Sequence, residues 1–284
     1  MNSFGESVIF LGPAGVPLTS KDRSTVGGVR RVAELGLNAM EVEFVRGVSM
    51  GKEMADEVGR VASETGVRLS VHCPYFINLC TGDEKKLEAS KVRILDSAER
   101  ASRMGAGIVV FHPGYYGSLT PEEAFRAVEE ASRDILGRMR SMGIKNVALG
   151  HETTGKVSAF GTLDEIIRLC EKVRGCEPVV DFAHIWARQA GRINYRGIFK
   201  KLAPLRLKHL HCHFTSMEWT PARREGEGNE KRHLPIEFDS PPFRPLAEEI
   251  VKRRINITLI SESPVLEQDS LRMKEIFQEL GYRF

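Results

Sequence analysis

The chain has 284 residues, of which 42% are hydrophobic, 28% charged and 7% aromatic, a balance that excludes disordered, collagen-like and coiled-coil architectures. That length buries roughly three quarters of the unfolded surface without a disulfide or a structural metal, and it suits a single (β/α)8 barrel, a fold that runs to about 250 residues as one unit. A formal charge of +3 announces no nucleic-acid binder by itself, but fifteen Lys/Arg against eight Asp/Glu between Arg188 and Arg254 form a basic excess able to face phosphates.

Short apolar runs predict strands at 8–11, 39–44, 68–72, 108–112, 146–149, 178–181, 207–213 and 257–261. Helical patterns follow each of them, around 26–35, 54–64, 84–103, 122–142, 163–173, 195–202, 245–254 and 270–280. Gly36, Gly66, Gly105, Gly143 and Gly281 stand just past five of the helical stretches, where a left-handed cap is favoured. Thr120-Pro121-Glu122-Glu123 reads as a helix start. Eight strand–helix units predict an α/β fold, a single (β/α)8 TIM barrel spanning 1–284. An open doubly wound sheet fits less well, because no GxGxxG or Walker A sequence follows the first strand. The one long irregular stretch, 215–242, follows the seventh strand and so belongs on the active face.

Five cysteines without a CxxC pair predict reduced thiols and a cytoplasmic setting. The N-terminal stretch lacks the basic and apolar regions of a signal peptide, and no apolar run approaches the length of a membrane span.

The polar residues fall where barrel chemistry belongs, at the C-terminal ends of strands. His72, His112, Glu152, Asp181 and Glu262 close the third, fourth, fifth, sixth and eighth strands, and the seventh carries His209, His211 and His213 on one face. Imidazoles and carboxylates crowded into one mouth are costly to desolvate unless cations lie among them. A His/Asp/Glu set without thiolates suits Zn²⁺, Mn²⁺ or Fe²⁺, and its size predicts at least two ions. Two-metal sites commonly serve in-line displacement at phosphorus. His184, three residues beyond Asp181, is placed to reach the cluster; His151, beside Glu152, turns away by strand alternation. Gly47-Val48-Ser49-Met50-Gly51 matches a nucleophile-elbow pattern, but a serine triad leaves the other histidines and carboxylates unexplained.

The segments VHCPYFINL (71–79), FHPGYYG (111–117), HETTGK (151–156), VDFAH (180–184), HLHCHF (209–214), EKRHLP (230–235) and SESP (261–264) together resemble the endonuclease IV family, metal-dependent apurinic/apyrimidinic endonucleases with a xylose-isomerase-like barrel. The resemblance spans essentially the whole chain and keeps the family order. It implies a zinc site at His72, His112 and Glu152, and a second at Glu152, Asp181, His211 and Glu262, with Glu152 and Glu262 at the catalytic centre. It implies a third metal at His184 and His233, where Lys231 falls on the family aspartate, a cation in a ligand position; that leaves the third site vacant, completed by Glu230 or His213, or replaced by the ammonium itself. It further implies cleavage 5′ to an abasic nucleotide in double-stranded DNA, by a protein acting as a monomer. Tyr75 and Phe76 would fill the gap, and Arg46, Lys231 and Arg232, with Arg223 and Arg224, would hold phosphates. The alternatives are a sugar isomerase or epimerase of the same superfamily, and a non-catalytic binder of damaged DNA.

Overall fold

Eight parallel strands form a nearly closed barrel in the computed structural model, which describes residues 7–284; the first six residues of the stretch read for a leader lie outside it. The strands are β1 (Ile9–Pro13), β2 (Ala39–Glu43), β3 (Arg68–His72), β4 (Ile108–Phe111), β5 (Ala148–Glu152), β6 (Cys176–Asp181), β7 (Leu210–Phe214) and β8 (Ile257–Ser261). Neighbours in the chain are neighbours in the sheet, and β8 pairs back onto β1. The intervening helices are α1 (Thr25–Glu34), α2 (Lys52–Thr65), α3 (Glu84–Met104), α4 (Pro121–Ser141), α5 (Leu163–Lys172), α6 (Phe182–Arg188), α7 (Tyr195–Leu202), α8 (Phe243–Arg253) and α9 (Glu267–Glu279). Among the described residues no helix is long and apolar enough to cross a membrane.

The seam between β1 and β2 is closed by a single bridge, Ala14 to Glu41, and by the Asn38 side chain. Asn38 Oδ1 accepts the Leu11 N–H at 2.7 Å, and its Nδ2 donates to the Ile9 carbonyl at 3.1 Å. Gly12 makes this approach possible, since a Cβ there would lie 1.6 Å from the Ala39 carbonyl oxygen. The outward faces of the strands bury against the helices, with Phe111, Phe125, Phe182, Phe214, Phe243 and Phe277 almost wholly enclosed.

Alternation along each strand sorts the barrel interior into tiers. Arg68, Ser70 and His72 share the inner face of β3, and His209, His211 and His213 that of β7. Opposite them, Ala148, Ile108, Val110 and Val179 form a small apolar cluster of their own. Below the mouth the β4–β6 side of the lumen is therefore apolar, while β3 and β7 carry polar side chains at every tier.

Three sequence expectations need correction. The fifth strand is not 146–149 but Ala148–Glu152, because its polar C-terminal half masks a strand whose outward His151 is buried against Phe111 and hydrogen-bonded by Ser132 at 2.9 Å. The seventh begins at Leu210 rather than 207 and reaches Phe214, since a 3-10 turn at Ala203–Leu205 and left-handed Arg206 precede it. The stretch 215–242, read as irregular, contains a β-hairpin of Ser216–Pro221 and Gly228–Leu234, packed on α6 through Met217, Trp186 and Trp219.

Candidate metal centre

Glu152 is the hub of the mouth. It is fully buried at the end of β5, with His72 Nε2 3.3 Å and His112 Nε2 3.0 Å from its Oε2. Around its Oε1 stand His184 Nδ1 at 3.1 Å and His213 Nδ1 at 3.3 Å. Asp181, at the end of β6, spends Oδ1 as the N-cap of α6, accepting the His184 N–H at 2.6 Å. Its Oδ2 is buried without a hydrogen-bond partner among the described residues. Glu262, just beyond β8, stands 3.2 Å from His213 Nδ1. Ligand-type atoms lie within 4.8 Å of one another in the sets His72–His112–Glu152, Glu152–Asp181–His184–Glu262 and His184–His233–Glu262, and, one tier lower, in Glu41–His211–His213.

The orientation of the imidazoles is as informative as their number. His72 Nδ1 donates to the Cys73 carbonyl at 2.8 Å, His184 Nδ1 to the Thr153 carbonyl at 2.9 Å and His233 Nδ1 to the Glu262 carbonyl at 2.9 Å. Each main-chain acceptor fixes one tautomer and leaves Nε2 as the free donor to the site, the arrangement that metal-binding histidines require. Cys73 adjoins His72 but is no rival ligand, because burial pushes its thiol up to about 12.

Electrostatics make the same case. Burial disfavours the His72 imidazolium, yet Glu43, Glu152 and Glu41 around it raise the ring to about 10. His184 and His213 are likewise driven well above the ordinary range against their own desolvation. Burial, reinforced by Glu262 and Glu152 and opposed by His184, pushes Asp181 up to about 6. Too many carboxylates share too little solvent here, and without cations they can be reconciled only by protons. The donor chemistry, the fixed tautomers and the orphaned Asp181 oxygen all fit divalent ions held by nitrogen and oxygen.

Two histidines of the seventh strand exchange places relative to the expectation. His211 does not meet Asp181 or Glu262; its Nε2 donates to Glu41 Oε2 at 3.0 Å, one tier lower. His213 is the residue beside Glu152 and Glu262. Its position follows from the strand running to Phe214, so that His213 is the last inward residue. His209 lies lower still and pairs with Thr258 at 2.8 Å.

The hairpin brings a second rearrangement. Glu218 pairs with Arg232 but Trp219 pairs with Glu230, so Lys231 is the extra residue of a β-bulge, which reverses the facing of what precedes it. Glu230 and His233, three apart, therefore both turn inward. Glu230 Oε2 comes 3.1 Å from His184 Nε2, in space that Gly155 leaves open, since a Cβ at Gly155 would lie 2.1 Å from that oxygen. Lys231 points away and, with Arg232, pairs with Glu218. The carboxylate in the expected lysine position is thus Glu230.

Glu41 and Glu43 on β2 have no place in the sequence expectation, although their spacing of two in a buried strand carries the same alternation signal as His211 and His213. Burial pushes Glu43 up to about 8. At the rim, Tyr75 and Phe76 are 61% and 64% exposed, and Tyr115 joins them at 49%. Tyr75, Tyr115, Lys156 and the metal-type ligands line a cavity of about 340 Å³. Arg46 is exposed on the loop after β2. The basic excess divides: Arg223, Arg224, Lys231 and Arg232 lie in the hairpin region, whereas Arg206, Lys208 and Lys252 to Arg254 precede β7 and β8 at the opposite end of the barrel.

Comparison with known proteins matches residues 29–279 to the xylose isomerase-like TIM barrel family. An uncharacterized protein of Methanocaldococcus jannaschii is 33% identical over 97% of this chain and 99% of its own length. A probable endonuclease 4 of Mycoplasma mobile is 26% identical, over 74% of each chain. Among solved structures, endonuclease IV from Thermus thermophilus superposes with a TM-score of 0.67 at 18% identity, covering 94% of this chain and 98% of its own. A D-tagatose 3-epimerase-like protein superposes with a TM-score of 0.68 at 19% identity, over 94% and 96%. At those identities the structural likeness establishes the fold and leaves the chemistry to the site.

Proposed function

Since this chain belongs to the xylose isomerase-like TIM barrel family, with endonuclease 4 relatives, we propose that it is a metal-dependent apurinic/apyrimidinic endonuclease of DNA repair, working as one barrel domain over residues 1–284. The observation that carries this reading is the convergence of four imidazoles, those of His72, His112, His184 and His213, on the shared carboxylate Glu152. His72, His112 and Glu152 would hold one ion. Glu152, Asp181, His213 and Glu262 would hold a second, and His184, His233 and Glu230 a third. Zinc is the first choice for such a donor set, with Mn²⁺ or Fe²⁺ as substitutes. Bound divalent ions would supply Lewis-acid stabilisation of phosphate oxygens and an acidified water.

The chain's own groups do the rest. Glu152 and Glu262 keep the reacting phosphate among positive charges while remaining anionic themselves. Tyr75 and Phe76 offer exposed rings to the space left by a missing base, which costs little to expose because nothing there must be unpaired. Tyr115 extends that stacking rim. Arg46 and the hairpin cations Lys231 and Arg232 would contact backbone phosphates of double-stranded DNA, which makes binding salt-dependent. Glu218 takes up part of the hairpin charge.

A duplex containing one tetrahydrofuran abasic analogue tests the proposal. The expected result is incision 5′ to the lesion, abolished in Glu152→Gln and unaffected by added monosaccharides. The second reading, a sugar isomerase or epimerase, is favoured by the modest mouth cavity of about 340 Å³, a volume suited to a small molecule. An intact duplex together with turnover of a ketose would install that reading instead.

A further inference from the structure

Among the inward histidines described above, His213 is held differently. His72, His184 and His233 each rest on a main-chain carbonyl, whereas His213 lies between carboxylates at both ends of its ring. Its Nδ1 faces Glu152 Oε1 at 3.3 Å and Glu262 Oε1 at 3.2 Å, while its Nε2 lies 2.9 Å from Glu41 Oε1. Glu41 is wholly buried on β2, and its other oxygen accepts from His211 Nε2 at 3.0 Å. Although so close, Glu41 Oε1 and His213 Nε2 both lack a properly aligned hydrogen-bond partner among the described residues. They are two orphaned polar atoms facing one another in a closed interior, where an unmet hydrogen bond costs about 1–3 kcal/mol.

A neutral imidazole has one N–H and one lone pair. If Nδ1 gives its lone pair to a cation among Glu152, Asp181 and Glu262, the proton must sit on Nε2, and the group facing it there is Glu41.

We propose that Glu41 is a positioning residue of the metal centre: anchored by His211, it takes the Nε2–H of His213 and turns Nδ1 toward the cation shared with Glu152, Asp181 and Glu262. A carboxylate is a stronger acceptor than a carbonyl, so His213 becomes the most basic nitrogen donor of the site. His211 then acts from one tier below, through Glu41 and not on the ion. The inference rests on the metal reading given under Proposed function.

Metal content and chelator competition on the metal-loaded protein test it, with circular dichroism and melting temperature to verify folding. Glu41→Gln, which removes the charge and leaves one acceptor oxygen for the two imidazoles of His211 and His213, is expected to weaken one bound Zn²⁺ by roughly 10–100-fold, the usual effect of impairing the partner of a ligating histidine, and to leave the remaining ions in place. Glu41→Asp should restore part of the loss. His213→Ala should remove that ion, and His211→Ala should only weaken it. Unchanged affinity in Glu41→Gln overturns the proposal. So does loss of an ion in His211→Ala that His213→Ala retains, or loss of an additional ion bound by Glu41 itself. A crystal structure of the zinc-loaded wild-type protein decides the matter even if the variants do not fold: zinc on His213 Nδ1 with Nε2 on Glu41 supports it, and zinc on Nε2 refutes it. A wild-type protein that takes up no divalent ion removes the metal reading and this inference together, whereas wild-type uptake with an unaffected Glu41→Gln removes this inference alone.

Discussion

Glu152 and Glu230 are carboxylates of the same mouth, held in different ways. Glu152 ends a central barrel strand, with β4 and β6 on either side and histidines from β3, β7, the loop beyond β4 and helix α6 pressed against it. Glu230 hangs on a two-stranded hairpin, one-fifth of its side chain exposed, steadied by its N–H bond to the Gly155 carbonyl and by Lys156 3.7 Å away. The sheet fixes the first to within the tolerance of its ladder. A bulge and a tryptophan contact fix the second. On the metal reading proposed above, carboxylates on the rigid sheet would set the chemistry and the one on the hairpin would set how tightly an outer ion is held.

The comparison breaks most visibly at Glu152. Glu152→Gln should lower incision of an abasic duplex by about a thousand-fold or more, the scale of losing a preorganised electrostatic element, and should reduce metal content measured by elemental analysis. A variant that keeps both would mean that the hub has been misplaced.

Next in size is the pH response of the metal-stripped protein. His72 is raised to about 10 and Glu43 to about 8, so both contribute stability at low pH that is lost as pH rises, through about 6.5 to 10 for His72 and about 4.5 to 8 for Glu43. Glu262, which burial pushes up but which the charge and hydrogen bond of His213 with the charge of His233 together bring down to about 2, contributes stability present above about 4.5 and lost toward 2. The stripped protein should therefore melt highest near pH 4.5 and progressively lower toward pH 10, with Asp181, raised to about 6, adding to the early part of the decline. Saturating metal should reverse the alkaline decline, because ions replace the protons. Identical melting curves with and without metal would count against the barrel tier as a cation site.

The hairpin half of the comparison gives a smaller effect. Glu230→Gln removes one charge from a partly exposed position beside His184, and should weaken a single ion by about one to two powers of ten in chelator competition while the others stay. Loss of every ion would show that hairpin and barrel are one cooperative unit.

How far this site could be read from the sequence follows from the same division. His72, Glu152, Asp181 and Glu262 each end or adjoin an apolar run, so the barrel rule places them directly. Glu41 and Glu43 lie within a run and are easily passed over, although alternation assigns them the same inner face. His211 stands in the place of His213 in the expected second site because the resemblance assigns it there, whereas strand alternation by itself puts both on the inner face and does not choose between them. Glu230 is least legible, since a single bulged residue shifts the phase of everything before it, and no periodicity announces a bulge. Asn38 closes the barrel seam with a side chain, which a search for ladders overlooks.

Lys231 gives the smallest effect and the sharpest test of that phase. Were the hairpin in regular register, Lys231 would share the inward face of His233, and Lys231→Asp would create the ligand that the resemblance expects. In the bulged register its ammonium lies outside with Glu218, while Glu230 already occupies the inner position beside His184. Lys231→Asp should then leave metal stoichiometry unchanged. It should cost only the solvent-screened surface pairing with Glu218, with little change in melting temperature, and weaken DNA binding modestly and equally for all sequences, with a shallower salt slope. A gain of one ion in Lys231→Asp would mean that the bulge gives way to regular pairing in solution, and that the hairpin, unlike the barrel, holds its register only loosely.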